Sequence, residues 1–247
     1  MRLTVTPPET VRGADRALGR LAGALEWLAG AQGAWPPHVP HAPRRLVVDA
    51  SIEGDLAEGT ARGDALVDGG CDLLVAGADL DAVPGLVVLA ALLELEPVQA
   101  VGTATGPGWA AQVTGVRDGL RAARVQLGDP VALLTGLGSA PLAVLTGALA
   151  QAAVRRTPVL LDGSAVTAAA AVLADRLAPG AARWFLAGQV PPSPAARKGL
   201  AAIGLTGLLD LGLSLPLGAD LAADLLTSAV SLVDPGSHDP GSPDVGS

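Results

Sequence analysis

Residues 128–174 read GDPVALLTGLGSAPLAVLTGALAQAAVRRTPVLLDGSAVTAAAAVLA and contain the pattern that decides the fold. Two short apolar runs, PVALLTGLG at 130–138 and TPVLLDG at 157–163, are each followed by an alanine-rich stretch of helical length. The runs are apolar almost throughout instead of alternating, as strands buried on both faces of a parallel sheet require. The stretch therefore predicts two consecutive strand–helix units.

The same pattern recurs along most of the chain. The apolar runs are RRLVVDAS (44–51), DLLVAGAD (72–79), VQAVGTAT (98–105), PVALLTGLG (130–138), TPVLLDG (157–163) and RWFLAGQ (183–189). With right-handed crossovers between them, we expect an α/β fold: a doubly wound, Rossmann-like parallel sheet of about six strands, with extra helices at both ends. A ligand site is then expected beyond the carboxyl ends of the strands.

The length of 247 residues indicates one domain. We predict a single α/β domain over 1–233, in which 1–43 supplies an N-terminal helical segment and a proline-rich linker. Residues 234–247 are rich in Pro, Gly, Ser and Asp and are predicted to be a disordered tail. An amphipathic helix is expected at 15–31, because leucines recur at helical spacing at Leu18, Leu21, Leu25 and Leu28.

Composition argues against several classes of function. The single cysteine, Cys71, rules out an internal disulfide and a multi-cysteine metal site, which favours a cytoplasmic protein. His38, His41 and His238 all lie in proline-rich or tail segments, so histidine catalysis, a metal site and a cofactor are not expected. A net charge of -8 argues against nucleic-acid binding.

One uncharged stretch, residues 131–154, is long enough to be weighed as a membrane span. Its internal glycines and Pro141 suit a strand, a turn and a helix better. The N-terminal segment MRLTVTPPETVRG has no apolar core of the kind found in secretory signals. We therefore expect neither a membrane span nor export.

Glycine-rich turns are the candidate phosphate sites. The turn TGLGSAP (135–141) precedes a predicted helix, whose free N–H groups can hold a phosphate. The alternative is that its glycines only let strand and helix approach closely. Asp162 can cap the helix that follows it or bind a ribose hydroxyl. The predicted phosphate- or nucleotide-binding residues are Gly102, Thr103, Thr105, Gly106, Gly136, Gly138, Ser139, Asp162 and Gly163.

Several segments resemble, in the same order, the nicotinate-nucleotide:dimethylbenzimidazole phosphoribosyltransferases of cobalamin biosynthesis. They are ALGRLAGALEWLAGAQG (17–33), the stretch 128–174 quoted above, and IGLTGLLDLGLSLPLGADLAADLL (203–226). The family's P-V-x-x-D-G is kept from Pro158 to Gly163. The resemblance implies transfer of the phosphoribosyl group of nicotinate mononucleotide to 5,6-dimethylbenzimidazole.

The resemblance also implies a general base that this chain lacks. Family members remove the azole proton with a glutamate in the last motif, and Leu217 occupies that position here. Loss of such a base costs about two to four orders of magnitude in rate. Asp220, one helical turn further on, is the predicted substitute base, with Asp79 and Asp81 next. The family segment that follows its first strand is also missing after VVDAS.

Two functions therefore stay open. One is the family's transfer reaction, and the other is the role of a catalytically impaired binding or partner subunit of an active family member. The expected partners are nicotinate mononucleotide, a benzimidazole-type base, and either a second copy or a full-length paralogue in a dimer. An unrelated nucleotide-binding protein ranks last, because neither a Walker A sequence nor a full G-x-G-x-x-G is found.

Overall fold

The fold is an α/β arrangement around one parallel sheet, as predicted. A computed structural model describes residues 3–103, 108–123, 129–213 and 216–234. Neighbouring strands pair in parallel, and their spatial order follows the chain order: β1 (Pro43–Asp49), β2 (Leu73–Asp79), β3 (Val159–Leu161) and β4 (Phe185–Ala187). A short segment that ends at Leu209 continues the sheet beside β4, where it forms an isolated parallel bridge with Gln189.

Helices connect and flank these strands. In chain order they are α1 (Arg20–Gln32), α2 (Leu56–Asp68), α3 (Val83–Leu93), α4 (Pro97–Val101), α5 (Trp109–Ala123), α6 (Pro130–Leu137), α7 (Ala140–Val154), α8 (Ala165–Leu177), α9 (Pro194–Ala202) and α10 (Gly218–Val233). α1 falls almost entirely within the predicted amphipathic segment, and α10 is the expected helix after the sheet. Most of the predicted tail, 235–247, lies outside the described residues.

The prediction of about six strands is wrong for two of the apolar runs. VQAVGTAT contributes α4 and PVALLTGLG contributes α6. Each helix begins with an acidic residue followed by proline. Asp129 Oδ1 accepts the N–H of Val131 at 2.9 Å, and the prolines suit a position where no intrahelical donor is needed. The capping residues therefore decide the structure of runs whose hydrophobicity alone fits either a strand or a buried helix.

The two faces of the sheet are covered differently. The strand order has no reversal, so the described strands lack the topological switch point of a doubly wound sheet. α2, α3, α7 and α8 pack on one face in the larger core, whereas α1 and α10 pack on the other. Because side chains alternate along a strand, Leu74 points into the larger core and Val75 into the smaller one.

Burial explains why residues 131–154 carry no charge. The stretch forms α6 and α7, which are separated at Gly138, where the backbone is left-handed with φ 62°. Most residues of α7 are buried, whichever side of the helix they lie on. A helix that is apolar around its whole circumference is typical of a core. No helix among the described residues is long and apolar enough to cross a membrane.

Helices α2 and α7 approach each other through glycines. A Cβ at Gly59 would lie 2.1 Å from the carbonyl oxygen of Val144, and one at Gly147 would lie 2.3 Å from that of Leu56. Both distances are too short for any side chain. Glycine at these positions therefore sets how close the two backbones come, and with it the position of the first turn of α2.

We expect Gly147→Ala to lower the free energy of unfolding by about 1–3 kcal/mol, because the added methyl group meets backbone atoms that cannot move independently. The matched control is Gly23→Ala in α1, where a Cβ has open space. The control should raise stability by about 0.5–1 kcal/mol through helix propensity. Urea unfolding of the two variants measures the difference, and an unchanged midpoint for Gly147→Ala would contradict the close-contact explanation.

Candidate functional site

The carboxyl ends of the strands form an edge where several helices begin. α2, α3, α8 and α9 each follow a strand, so the N-terminus of each lies on this side of the sheet. α10 begins there as well, since a Cβ at Gly188 would lie 2.7 Å from the carbonyl oxygen of Gly218. Helix N-termini carry partial positive charge and free N–H groups. A parallel sheet predicts a ligand site at this location.

A cavity of about 270 Å³ opens at this edge between the ends of β2 and β3, the first turn of α8 and the residues that lead into α9. We call it the edge cavity. Its polar lining comes from Asp79, Gln112, Ser164 and Ser193, and its apolar lining includes Leu86, Val101 and Pro192. Ser164 and Ser193 are the N-caps of α8 and α9, which places two helix starts in the same cavity wall.

Asp162 lies beneath the edge cavity with no exposed surface. Its Oδ2 accepts the N–H of Ala78 at 2.9 Å, and its Oδ1 accepts the N–H of Ser164 at 2.8 Å. One carboxyl group thus joins the end of β2 to the cap of α8, and both of these contribute to the cavity wall. Gly77 leaves room for it, because a Cβ there would lie 2.7 Å from Oδ2.

The electrostatics of Asp162 follow from this burial. Removal from water raises the pKa of the carboxyl group above its usual value, because the charged form loses its hydration. The N–H groups of Ser164 and Ala78, together with the hydroxyl groups of Thr167 and Ser164, oppose the shift by stabilising the charge. Asp162 is therefore a structural acceptor at the site and has no path to a ligand except through the residues it holds.

The predicted phosphate residues do not form one site. Gly163 lines the edge cavity, whereas Gly138 and Ser139 line a separate cavity of about 530 Å³ between α2, α6 and α7. Their turn joins two helices and does not follow a strand, which corrects the strand-to-helix interpretation. Gly136 lies within α6.

The second predicted loop is only partly described. Gly102 ends α4 with φ 91°, and a Cβ there would lie 2.9 Å from Cγ of Pro194, so this glycine lets α4 pack against α9. Its carbonyl oxygen accepts the indole N–H of Trp109 at 2.7 Å. Thr103 is exposed, and Thr105 and Gly106 lie outside the described residues.

The three carboxylates predicted as candidate general bases differ in their hydrogen bonds and ion pairs. Asp220 is ion-paired with Arg45, with 2.7 Å between Oδ2 and Nη2, and it does not line the edge cavity. Asp81 accepts the N–H of Val83, the first residue of α3, at 2.7 Å. Asp79 lines the cavity, and its side chain makes no hydrogen bond or ion pair within the described part of the chain. Leu217 is 44% exposed at the start of α10.

Sequence reasoning missed two of the polar groups in this cavity. Ser193 precedes Pro194, a pairing typical of a helix start, so its cap position could have been predicted. Gln112 had no local signal, because only the packing of α5 beside α3 brings it to the edge. Among the described residues, no group of three or more His, Cys, Asp and Glu side chains could hold a metal ion.

We expect Asp162→Asn to lower the free energy of unfolding by about 1–3 kcal/mol, because an amide replaces one acceptor oxygen with a donor that faces a backbone N–H. Burial raises the pKa of Asp162 in the folded protein above its usual value of 3.8. The protonated carboxyl group therefore stabilises the fold fully below pH 3.8, and this contribution is lost as pH rises through the pKa of the folded protein. The difference in unfolding free energy between wild type and Asp162→Asn should therefore become smaller as pH rises.

Urea unfolding at a series of pH values tests this sign. The matched control is Asp175→Asn, which also removes a carboxyl group that accepts two backbone N–H groups, from Gly180 and Ala182, but at the end of α8 away from the edge. A deficit for Asp162→Asn that widens with rising pH would show that the hydrogen bonds outweigh the desolvation of the carboxylate.

Comparison with known proteins adds the family. Residues 49–235 match the family model DBI_PRT, described as phosphoribosyltransferase. A protein of Mycobacterium avium (strain 104) is 49% identical over 187 residues, which cover 72% of this chain and 53% of that protein. A protein of Mycobacterium ulcerans (strain Agy99) is 46% identical over 194 residues, covering 75% and 53% respectively. Both are named nicotinate-nucleotide--dimethylbenzimidazole phosphoribosyltransferase.

The chain spans about half the length of these curated relatives. Its fold also matches the crystal structure of CobT from Thermus thermophilus, with a TM-score of 0.76, 23% identity, and coverage of 91% of this chain and 92% of that chain. At that identity the match concerns the fold alone. Together with the family model and the mycobacterial relatives, the observations show that the chain belongs to the DBI_PRT phosphoribosyltransferase family.

Proposed function

We propose that this protein transfers the phosphoribosyl group of nicotinate mononucleotide to a benzimidazole-type base, a step of cobalamin biosynthesis. The names of the mycobacterial relatives support the substrates, since the family and the order of its segments are shared. The observation that carries the proposal is the edge cavity, where helix N-termini and a carboxylate meet at the carboxyl ends of the strands.

The phosphate of the donor fits the polarity of this edge. Ala165 and Val166 in the first turn of α8 line the cavity, and their backbone N–H groups are among those that an α-helix leaves free. Such groups bind phosphate without a cationic side chain, which suits a cavity whose described lining contains no Lys or Arg. A compact polar wall of this kind holds one end of the substrate, and the apolar side chains of Leu86 and Val101 offer a surface for a ring.

The transfer exchanges one C–N bond for another. A ring nitrogen of the acceptor bonds to C1′ of the ribosyl group as the bond from C1′ to the pyridinium nitrogen breaks, and the electron pair returns to the nicotinate ring. The acceptor then carries a surplus proton on its other ring nitrogen. A carboxylate within hydrogen-bond reach removes that proton, which contributes about two to four orders of magnitude to the rate.

Asp79 is the carboxylate that we place in this role. It ends β2, lines the edge cavity and has no competing partner among the described residues. Asp220 remains the alternative that the sequence suggests, but its carboxylate is already paired with Arg45. Moving the base from the last motif to the end of β2 would compensate for the leucine at position 217.

Assembly and location belong to the same proposal. A small-molecule reaction of this kind fits a cytoplasmic protein, and the lone buried Cys71, whose pKa burial raises, fits a reducing environment. A dimer, either of two copies or with a full-length paralogue, would supply further walls to the site.

The test is chromatographic detection of α-ribazole phosphate formed from nicotinate mononucleotide and 5,6-dimethylbenzimidazole. We expect Asp79→Asn to lower the turnover of the purified protein by about 100-fold or more. Asp49→Asn is the matched control, because Asp49 also ends a strand but binds Ser51 and lies outside the cavity lining. It should keep wild-type turnover.

Each other outcome is informative. If Asp220→Asn abolishes turnover while Asp79→Asn does not, the base lies at Asp220 and the assignment to Asp79 is wrong. If the wild-type protein forms no product at high concentration, the standalone enzyme is contradicted. A full-length family member whose turnover rises above its own rate when this protein is added would then identify a partner subunit.

A further inference from the structure

The side-chain amide of Gln112 is a polar group of the edge cavity whose hydrogen bonds the fold does not use. Gln112 is half-buried in α5 and lines the cavity. Within the described ranges of the chain, its side chain makes no hydrogen bond. The amide has two N–H donors and an oxygen that accepts hydrogen bonds. All of these are therefore open to a ligand.

Close packing of α5 against α3 places Gln112 at the edge of the sheet. A Cβ at Gly115 would lie 3.1 Å from Cγ1 of Val83, and a Cβ at Gly119 would lie 2.5 Å from Cγ2 of Val87. Both contacts advance by one helical turn in the same direction, so α5 and α3 run side by side in the same sense. Val83 is the first residue of α3. Gln112, about one turn before Gly115, therefore lies beyond the start of α3, beside the end of β2.

A hydrogen bond also fixes the start of α5. The indole Nε1 of Trp109 donates to the carbonyl oxygen of Gly102, the residue that ends α4, at 2.7 Å. Trp109 lies about one turn before Gln112, and the glycine contacts with α3 follow after it. The backbone at Gln112 is thus held on both sides, and a backbone held in this way presents the amide at a defined place in the cavity wall.

The helices that pack around α5 contribute apolar side chains to the same wall. Leu86 and Val101 belong to α3 and α4, which both pack against α5. The groups suited to phosphate, the N–H groups of Ala165 and Val166, belong to α8 instead. A flat ring therefore fits against Leu86 and Val101, and Gln112 is the polar group that α5 adds beside it.

A ring bound at this wall removes water from the amide of Gln112. Covering an amide without offering it a partner weakens binding by about tenfold or more, so the ring must carry a polar substituent at this point. The pyridine ring of nicotinate carries a carboxylate, whereas the benzene half of 5,6-dimethylbenzimidazole carries only methyl groups. The wall is therefore suited to the ring of the donor and not to that of the acceptor.

We propose that Gln112 is a specificity-determining residue whose amide donates a hydrogen bond to the ring carboxylate of nicotinate mononucleotide. The inference rests on the proposed function, since it assigns a contact of the same site with the phosphoribosyl donor. The described lining of the cavity contains no Lys or Arg, so a neutral amide takes the place of a cation as the partner of this carboxylate. Asp79 is then left for the acceptor.

Calorimetry with two probes tests the contact. One is nicotinate mononucleotide, and the other is pyridine mononucleotide, the same nucleotide without the ring carboxylate. Gln112→Leu keeps a side chain of similar size and removes its hydrogen bonds. We expect this variant to bind nicotinate mononucleotide about tenfold more weakly than wild type does, and to bind pyridine mononucleotide at least as tightly. A purely structural role of Gln112 would change both affinities alike.

Gln112→Glu is the second variant. An ionised carboxylate only accepts hydrogen bonds and repels the carboxylate of the ligand. Nicotinate mononucleotide should therefore bind even more weakly than to Gln112→Leu, whereas pyridine mononucleotide, with its cationic ring, should lose no affinity. The matched control is Thr114→Leu, since Thr114 is an exposed residue of the same helix outside the cavity lining. The control should keep both wild-type affinities.

The outcomes separate the inference from the proposed function. Equal weakening of the two probes by Gln112→Leu, or no weakening, would overturn the inference and leave the proposed function standing. If wild type binds no nicotinate mononucleotide, the proposed function is contradicted. The same comparison with free nicotinate and pyridine then decides the inference, which is wrong if nicotinate does not bind either. Should Gln112→Leu fail to fold, Gln112→Glu decides by the same difference between the two probes.

Discussion

The buried carboxyl group of Asp162 holds the edge of the sheet in its present form. β3 is short, and directly after it the chain must leave the sheet while its neighbours still require hydrogen-bond partners. Asp162 satisfies this need by accepting from the end of β2 and from the residue that caps α8. The cost is a desolvated carboxyl group, visible in its raised pKa. Without that acceptor, two walls of the edge cavity would lose their common support.

The glycines around this carboxyl group are part of the same constraint. Gly77 accommodates Asp162, while Gly163 and Gly218 accommodate Gln189. A side chain at any of these positions would fill the space in which the two buried polar groups lie. The strand ends are therefore built from backbone and two polar side chains, and this brings the starts of α8 and α10 close to the sheet.

The resemblance places Leu217 where the family has its general base, and the structure shows what surrounds this position. Leu217, directly before α10, is half exposed, and its side chain makes no capping hydrogen bond to the helix. The nearby Asp220 forms an ion pair with Arg45. The start of α10 thus offers a helix terminus and an ion pair in place of the family's carboxylate. A carboxylate does remain across the strand ends, at Asp79 in the edge cavity. Our proposal assigns the acid–base role to this carboxylate at the end of the second strand.

The sequence by itself determined the fold class, the parallel sheet, four of its strands and the family, because near-continuous apolar runs, Asp162-Gly163 and the order of the segments are local properties. The sequence also contained evidence against the two wrongly predicted strands, because Asp129-Pro130 and Glu96-Pro97 are typical of helix starts. Only the tertiary structure decided the site. The partners of Asp162, Gln189 and Asp220 lie 84, 24 and 175 residues away. Packing across the sheet sets these contacts, and no spacing along the chain encodes them.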